Sequence, residues 1–125
     1  MKIGQFIKEV ETTKDTVRHY EALHLLQPAW ENTHRIYGQK EVEDFLVIKE
    51  MQSFGLSLTD IQSLFQLKRQ NGCGNPTLIE GVMTKLEEMR EKLEEEEKRI
   101  QRKKHQLTET MQAIHLLAGD KNANL

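Results

Sequence analysis

The chain carries a single cysteine, Cys73, among its 125 residues. No disulfide can therefore form within it, and one thiol beside five methionines fits a reducing compartment. No apolar run approaches the roughly 18 residues that a membrane span requires. The opening stretch MKIGQFIKEV lacks the basic-then-apolar order of a secretory signal. A cytoplasmic protein without a membrane partner is the expectation. An excess of positive charge is missing too, because 18 basic side chains against 20 acidic ones leave a formal charge of −2. Bulk electrostatics give no case for nucleic acid, so such a case has to rest on where individual charges fall. Only two prolines occur, Pro28 and Pro76, which leaves a long second half that no proline interrupts.

That second half is set off by RQNGCGNPT (69–77), the densest cluster of chain breakers in the sequence. Beyond it Leu78 to Leu117 reads as one helix, far longer than the average of about 11 to 12 residues. Ile79, Leu86, Leu93, Ile100, Leu107 and Ile114 recur every seventh position. Val82, Met83, Met89, Met111 and Leu117 fill the companion positions at its ends, the pattern of a coiled-coil seam. At the centre Glu96, Glu97, Lys103 and Lys104 replace the companion residues. A parallel pair would set Glu94–Glu97 against itself. Antiparallel pairing about Ile100 matches Leu93 with Leu107, Leu86 with Ile114, Glu96 with Lys104 and Glu97 with Lys103. The sequence thus predicts an antiparallel homodimer. The other reading, a solvated helix folded back on its own domain, lacks a comparable upstream seam.

The first half predicts four short helices and a hairpin. Ile3–Val10 forms the first, and Thr13 caps a second whose Val17, Tyr20 and Leu23 face inward. Pro28, the Asn32-Thr33 turn and the alternation Arg35-Ile36-Tyr37 indicate a two-stranded wing. Gln39–Ser53 is a third helix with Val42, Phe45, Leu46, Ile48 and Lys49 or Met51 around one face, stopped by Gly55. Ser57 and Asp60 resemble a capping box for a fourth, bearing Leu58, Ile61, Leu64 and Phe65. Helix, tight turn, helix and wing is a DNA-reading order. The second helix then turns Lys14, Asp15, Arg18 and His19 outward, with the Thr13 and Thr16 hydroxyls near its start. Basic groups, hydroxyls and free helix-start amides all bind phosphate, and Arg and Lys also read guanine edges. Taken alone, an ordinary solvated face would look the same.

Through IGQF, TVRHYE, LLQP, RIYG and VIKEMQSFGLSLTDIQSLF, from Ile3 to about Phe65, the chain resembles the MerR family of bacterial transcription regulators. The resemblance implies an all-α fold with a small β wing: a winged helix-turn-helix domain (1–69), a linker loop (70–77), a long antiparallel coiled-coil dimerisation helix (78–118) and a flexible tail (119–125). It implies a homodimer on a pseudo-palindromic promoter that distorts the spacer to admit RNA polymerase. It implies neither enzymatic activity nor a cofactor. Arg18 and Tyr20 match the family's recognition-helix residues, and Arg35 and Tyr37 its wing residues, all four as DNA contacts. With Thr13, Lys14, Thr16 and His19 they form the candidate DNA-binding set. Departures are His19 for a tyrosine, Trp30 for an arginine, His24 for a glycine, Asp15 for a basic residue, and a wing about two residues shorter. Trp30 either lies against a sugar or packs under the wing, and packing is favoured.

Metal sensors of this family often place a thiolate where Cys73 stands. One thiol is not a metal site, and only His115 and His105 of a second chain could join it, so no metal is expected. Cys73 is kept as a possible effector or redox position. A different class of function, a coiled-coil interaction adaptor without sequence-specific DNA binding, fits the missing basic excess but not the N-terminal motifs.

Overall fold

A computed structural model describes residues 1–72 and 74–123 of the chain. Its elements are α1 (Ile3–Glu9), α2 (Lys14–Ala22), β1 (Ala29–Glu31), β2 (His34–Ile36), α3 (Gln39–Ser53), α4 (Leu58–Asn71) and α5 (Pro76–Ala123). This is the helical fold with a small wing that the sequence predicts, although α5 runs beyond 78–118 at both ends. Cys73, Asn124 and Leu125 lie outside the described residues.

The expected caps form. Thr13 Oγ1 accepts the Thr16 N–H at 3.2 Å and starts α2, and Ser57 Oγ accepts the Asp60 N–H at 3.1 Å and starts α4. Each satisfies an amide that the first turn leaves free. At the head of α3 the Gly38 N–H donates to the Glu41 carboxylate at 2.9 Å. Gly55, at φ 101°, ends the turn after α3. Two other turns use non-glycine residues in the left-handed region, Glu11 at φ 54° between α1 and α2, and His24 at φ 60° after α2. Such backbone is strained for a side chain with a Cβ. In the wing, Asn32 at φ 57° closes a hairpin that pairs Ala29 with Ile36, Trp30 with Arg35 and Glu31 with His34.

Phe6, Val17, Leu25, Leu26, Tyr37, Phe45, Ile48 and Ile61 form the centre of the core. The Phe6 ring stacks on Tyr37 at 4.5 Å and meets Phe45 edge-on at 6.0 Å. The middle of α1, the end of the wing and the middle of α3 thus share one aromatic cluster. Met1 and Tyr37 add two backbone hydrogen bonds, Met1 N to Tyr37 O at 2.6 Å and Tyr37 N to Met1 O at 2.7 Å. On α3 the inward stripe steps by three through Val42, Phe45 and Ile48. That step carries the core contacts away from Leu46, expected on the inner face but exposed, and of the alternatives Lys49 and Met51 it is Met51 that packs against the core.

The first compact unit does not stop at 69. It extends to Met89, because the opening turns of α5 lay Val82, Leu86 and Met89 against the core. Gly81 permits this approach: a Cβ there would stand 2.9 Å from Leu67 Cδ1. Lys85 Nζ reaches Asp60 Oδ1 at 3.4 Å. Burial would raise the Asp60 carboxyl, but hydrogen bonds from Ser57 and Lys85 hold it below the usual carboxylate value. A second unit begins at Arg90. Its seam residues Leu93, Ile100, Leu107 and Ile114 are 49–62% exposed. Among the described residues no helix is long and apolar enough to cross a membrane.

Two backbone positions have opposite expected responses. His24→Gly relieves a left-handed strain and should raise stability by about 0.5 to 1 kcal/mol, part of the relief being offset by a freer unfolded chain. Gly55→Val adds a Cβ 2.7 Å from Met89 Cε at positive φ and should lower stability by about 2 to 3 kcal/mol. Urea denaturation of both variants measures each effect, and equal midpoints would contradict this assignment of strain.

Candidate nucleic-acid interface

The α2 helix buries Val17 and Tyr20 on one side, which leaves Thr13, Lys14, Asp15 and His19 exposed and Thr16 and Arg18 half-buried. The Thr13 and Thr16 hydroxyls lie 3.0 Å apart at the helix start. The five candidates of α2 and its cap apart from Tyr20 thus occupy the solvent side of one short helix, as the sequence predicts.

What joins this helix to the wing is Glu21, which the sequence reading missed. Its Oε2 accepts a hydrogen bond from Arg18 Nη1 at 2.9 Å. Its Oε1 accepts the Tyr37 hydroxyl at 2.5 Å and lies 3.6 Å from Arg35 Nε. Arg18 Nη1 also reaches the Tyr37 hydroxyl at 3.4 Å. One carboxylate thus brings an arginine of α2 and an arginine of β2 to the same surface. Two guanidiniums against one carboxylate leave that surface with one net positive charge. The hydrogen bond that Arg18 donates to Glu21 raises Arg18 above its ordinary value despite some burial. Burial, with the Glu21 hydrogen bond next, pushes the Tyr37 phenol well above its own. Half of this arrangement was legible, since Arg18 and Glu21 are three apart on a helix. The wing partners are not close in sequence and gave no signal.

Of the two tyrosines expected as DNA contacts, Tyr20 is buried on the inward face that the helix spacing gives it, and Tyr37 is buried as well. Tyr20 is 2% exposed and Tyr37 0%. Tyr20 donates its hydroxyl to Gln52 Oε1 on α3 at 2.8 Å, with its ring centroid 5.6 Å from that of Phe45 and beneath Lys49 Nζ at 5.5 Å. The reason is amphipathic: each ring fills the core while its hydroxyl finds an internal acceptor. Trp30 departs in the other direction. It does not pack under the wing but is 60% exposed, with Arg35 Cζ 4.6 Å above its ring. Trp30 and Arg35 are cross-strand partners, so their side chains stand on the same face.

No cluster of three or more His, Cys, Asp or Glu side chains placed to hold a metal occurs among the described residues. His105 Nε2 lies 2.9 Å from Glu109 of its own helix, and Cys73 is outside the described residues.

A helix-turn-helix whose second helix shares an ionic surface with a two-stranded hairpin is a winged helix-turn-helix DNA-binding domain. Residues 1–68 match the family described as MerR HTH family regulatory protein. Over 91 residues the chain is 31% identical to a mercuric resistance operon regulatory protein of Bacillus cereus, an alignment covering 70% of this chain and 68% of that protein. The fold superposes on a crystal structure described as a MerR family transcriptional regulator from Listeria monocytogenes with a TM-score of 0.72. The sequence identity there is 19%, and the match covers 86% of this chain and 83% of that one. The chain belongs to the MerR family: it is a DNA-binding transcription regulator and not an enzyme.

The Tyr37 geometry has a pH signature. A phenol ionises near 10.0 when unfolded, and the folded one binds its proton more tightly. Its contribution is therefore full below about pH 10 and is lost as pH rises further, when only the unfolded state releases the proton. Wild type is expected to lose more stability than Tyr37→Phe between about pH 9 and pH 11 in urea denaturation. Parallel losses in the two proteins would show that Tyr37 is not held in this way.

Proposed function

We propose that the chain acts as a homodimer joined antiparallel along α5. It seats α2 in the major groove of a pseudo-palindromic promoter and distorts the spacer so that RNA polymerase can engage both promoter elements. The observation that carries this reading is the surface on which Glu21 unites Arg18 of α2 with Arg35 of the wing. An arginine from each element, held at a fixed separation, can grip phosphates on two sides of a groove. Thr13 and Thr16 contribute hydroxyls to the backbone, and Lys14 and His19 reach toward base edges. Tyr20 and Tyr37 act from the interior by holding the helix and the wing.

Exposure of Leu93, Ile100, Leu107 and Ile114 supports the dimer, since such a stripe in water favours association. The opposed charges at Glu96, Glu97, Lys103 and Lys104 support the antiparallel sense. The cytoplasm, where promoter DNA lies, is the compartment of action. The Bacillus cereus relative is named for mercury resistance, but one cysteine per chain offers too few soft ligands to carry that metal over. Cys73 remains the position from which an effector or oxidant would act.

Arg18→Ala is expected to weaken binding to specific and random duplexes alike and to lower the slope of log K against log salt by about one. Lys14→Ala should instead change preference among sites. Anisotropy titrations at several salt concentrations measure both, and an unchanged slope for Arg18→Ala would remove it from the phosphate contacts. For the dimer, replacing Leu93 and Leu107 together by Asp should give monomers in sedimentation. Spin labels placed at Glu87 should lie roughly 40 Å apart, twice the helical rise from Glu87 to Ile100. A separation under about 20 Å, the value for helices side by side in parallel, would overturn the antiparallel arrangement.

A further inference from the structure

A tryptophan that stays in water needs a reason, because large aromatic rings usually bury most of their surface. Trp30 is the chain's one tryptophan. At 60% exposed it caps the wing face with the Arg35 guanidinium lying 4.6 Å over its ring. Arg35 is held from the other side by Glu21, 3.6 Å from its Nε, and Glu21 holds Arg18. Trp30, Arg35, Glu21 and Arg18 are therefore one connected series of contacts leading from the wing to α2. The nearby acid, Glu31, pairs with His34 across the hairpin and so stands on the opposite face of the alternating strands.

We propose that Trp30 and Arg35 form a preassembled contact to the sugar–phosphate backbone of duplex DNA. The indole lies against a deoxyribose and donates its N–H to a phosphate oxygen, and Arg35 supplies the charge beside it. The proposal rests on the DNA-binding reading above. Chemistry favours this occupant over an apolar protein pocket. The indole offers a flat apolar face with a donor and no acceptor, which a sugar and its phosphate match. Closing a protein pocket over the ring would strip water from Arg35 without giving it a new anion. Stacking also restricts the guanidinium before DNA arrives, lowering the entropic cost of the contact. A neutral donor at position 30 adds affinity without releasing a counterion. Trp30 therefore strengthens binding without steepening its salt dependence.

The test uses the full chain and duplex DNA from the region upstream of its own coding sequence, labelled for anisotropy, while indole emission reports Trp30 alone. Emission should change on DNA addition and saturate with the anisotropy. Trp30→Ala should bind roughly fivefold more weakly with the wild-type salt slope and the wild-type urea midpoint. Trp30→Phe should fall between them, keeping the stacked ring and losing the N–H. Trp30→Arg should bind with a slope steeper by about one. Binding by anisotropy with unchanged emission, or wild-type affinity in Trp30→Ala, would overturn the contact and leave the DNA-binding reading standing. An emission change on dilution without DNA would assign the ring to a second copy of the chain and also overturn it. Absence of binding to any duplex would overturn both readings.

Discussion

The carboxylate of Glu21 is the constraint on which the proposed recognition surface depends. Arg18 and Arg35 converge on it from different elements, and without an anion between them two guanidiniums would repel. The hydroxyl of Tyr37, a side chain with no exposed surface, also depends on it. Removing the acceptor would leave a buried donor unmatched, a loss of about 1 to 3 kcal/mol. Glu21 is itself only 11% exposed in its side chain, so two hydrogen bonds, from Arg18 and Tyr37, and the nearby Arg35 charge compensate its desolvation. This ties stability to function: the same acid that lowers the positive charge of the surface sets where the remaining charge lies. A chain with formal charge −2 can bind a polyanion under these conditions, because the decisive quantity is the local arrangement and not the sum.

The second dependence is steric and lies at the junction of α4 with α5. Gly81 brings α5 against Leu67, and Gly55 accommodates Met89, so two absent side chains admit the helix to the first unit. Glycine inside a helix ordinarily costs about 1 kcal/mol relative to alanine, and here contacts by Val82, Leu86 and Met89 with the core offset that cost. The breaker cluster therefore falls where α4 ends at Asn71 and α5 begins at Pro76, and not at the edge of the compact unit. Composition identifies where a chain bends. Where a domain ends is decided by packing, which in this protein reaches Met89.

Local features were legible in the sequence to the extent that their causes are local. Thr13 and Ser57 cap helices through amides three residues away, and Gly55 ends a turn through its own φ. The seven-residue recurrence needs nothing beyond α5 to be read. Residues whose positions depend on distant partners were not legible. The helix spacing turns the Tyr20 ring inward, but the acceptors of the buried Tyr20 and Tyr37 hydroxyls, Gln52 and Glu21, lie 32 and 16 residues away and gave no signal. Trp30 was expected to pack under the wing, and it stands exposed with its cross-strand partner Arg35 over the ring. The helix period alone did not place Leu46, since the core stripe on α3 steps by three.

The start of α2 shows how the chain balances folding against binding at the same place. Asp15 is the acid of the first turn, where a negative charge complements the helix dipole by about 0.3 to 1 kcal/mol. In the proposed complex with DNA, that charge opposes phosphate. Lys14 and the Thr13 and Thr16 hydroxyls beside it favour phosphate, and two of these groups are neutral. Loss of a cation at 15 and its replacement by an anion reduces non-specific attraction, which depends almost wholly on counterion release. Hydrogen bonds from fixed hydroxyls and from helix-start amides keep their directional contribution at any ionic strength that leaves the fold intact. On the proposed reading of α2 as the helix that contacts DNA, its polar surface shifts discrimination from Coulomb attraction toward geometry, and the position of the wing relative to α2, held by Glu21, becomes part of how one DNA site is told from another.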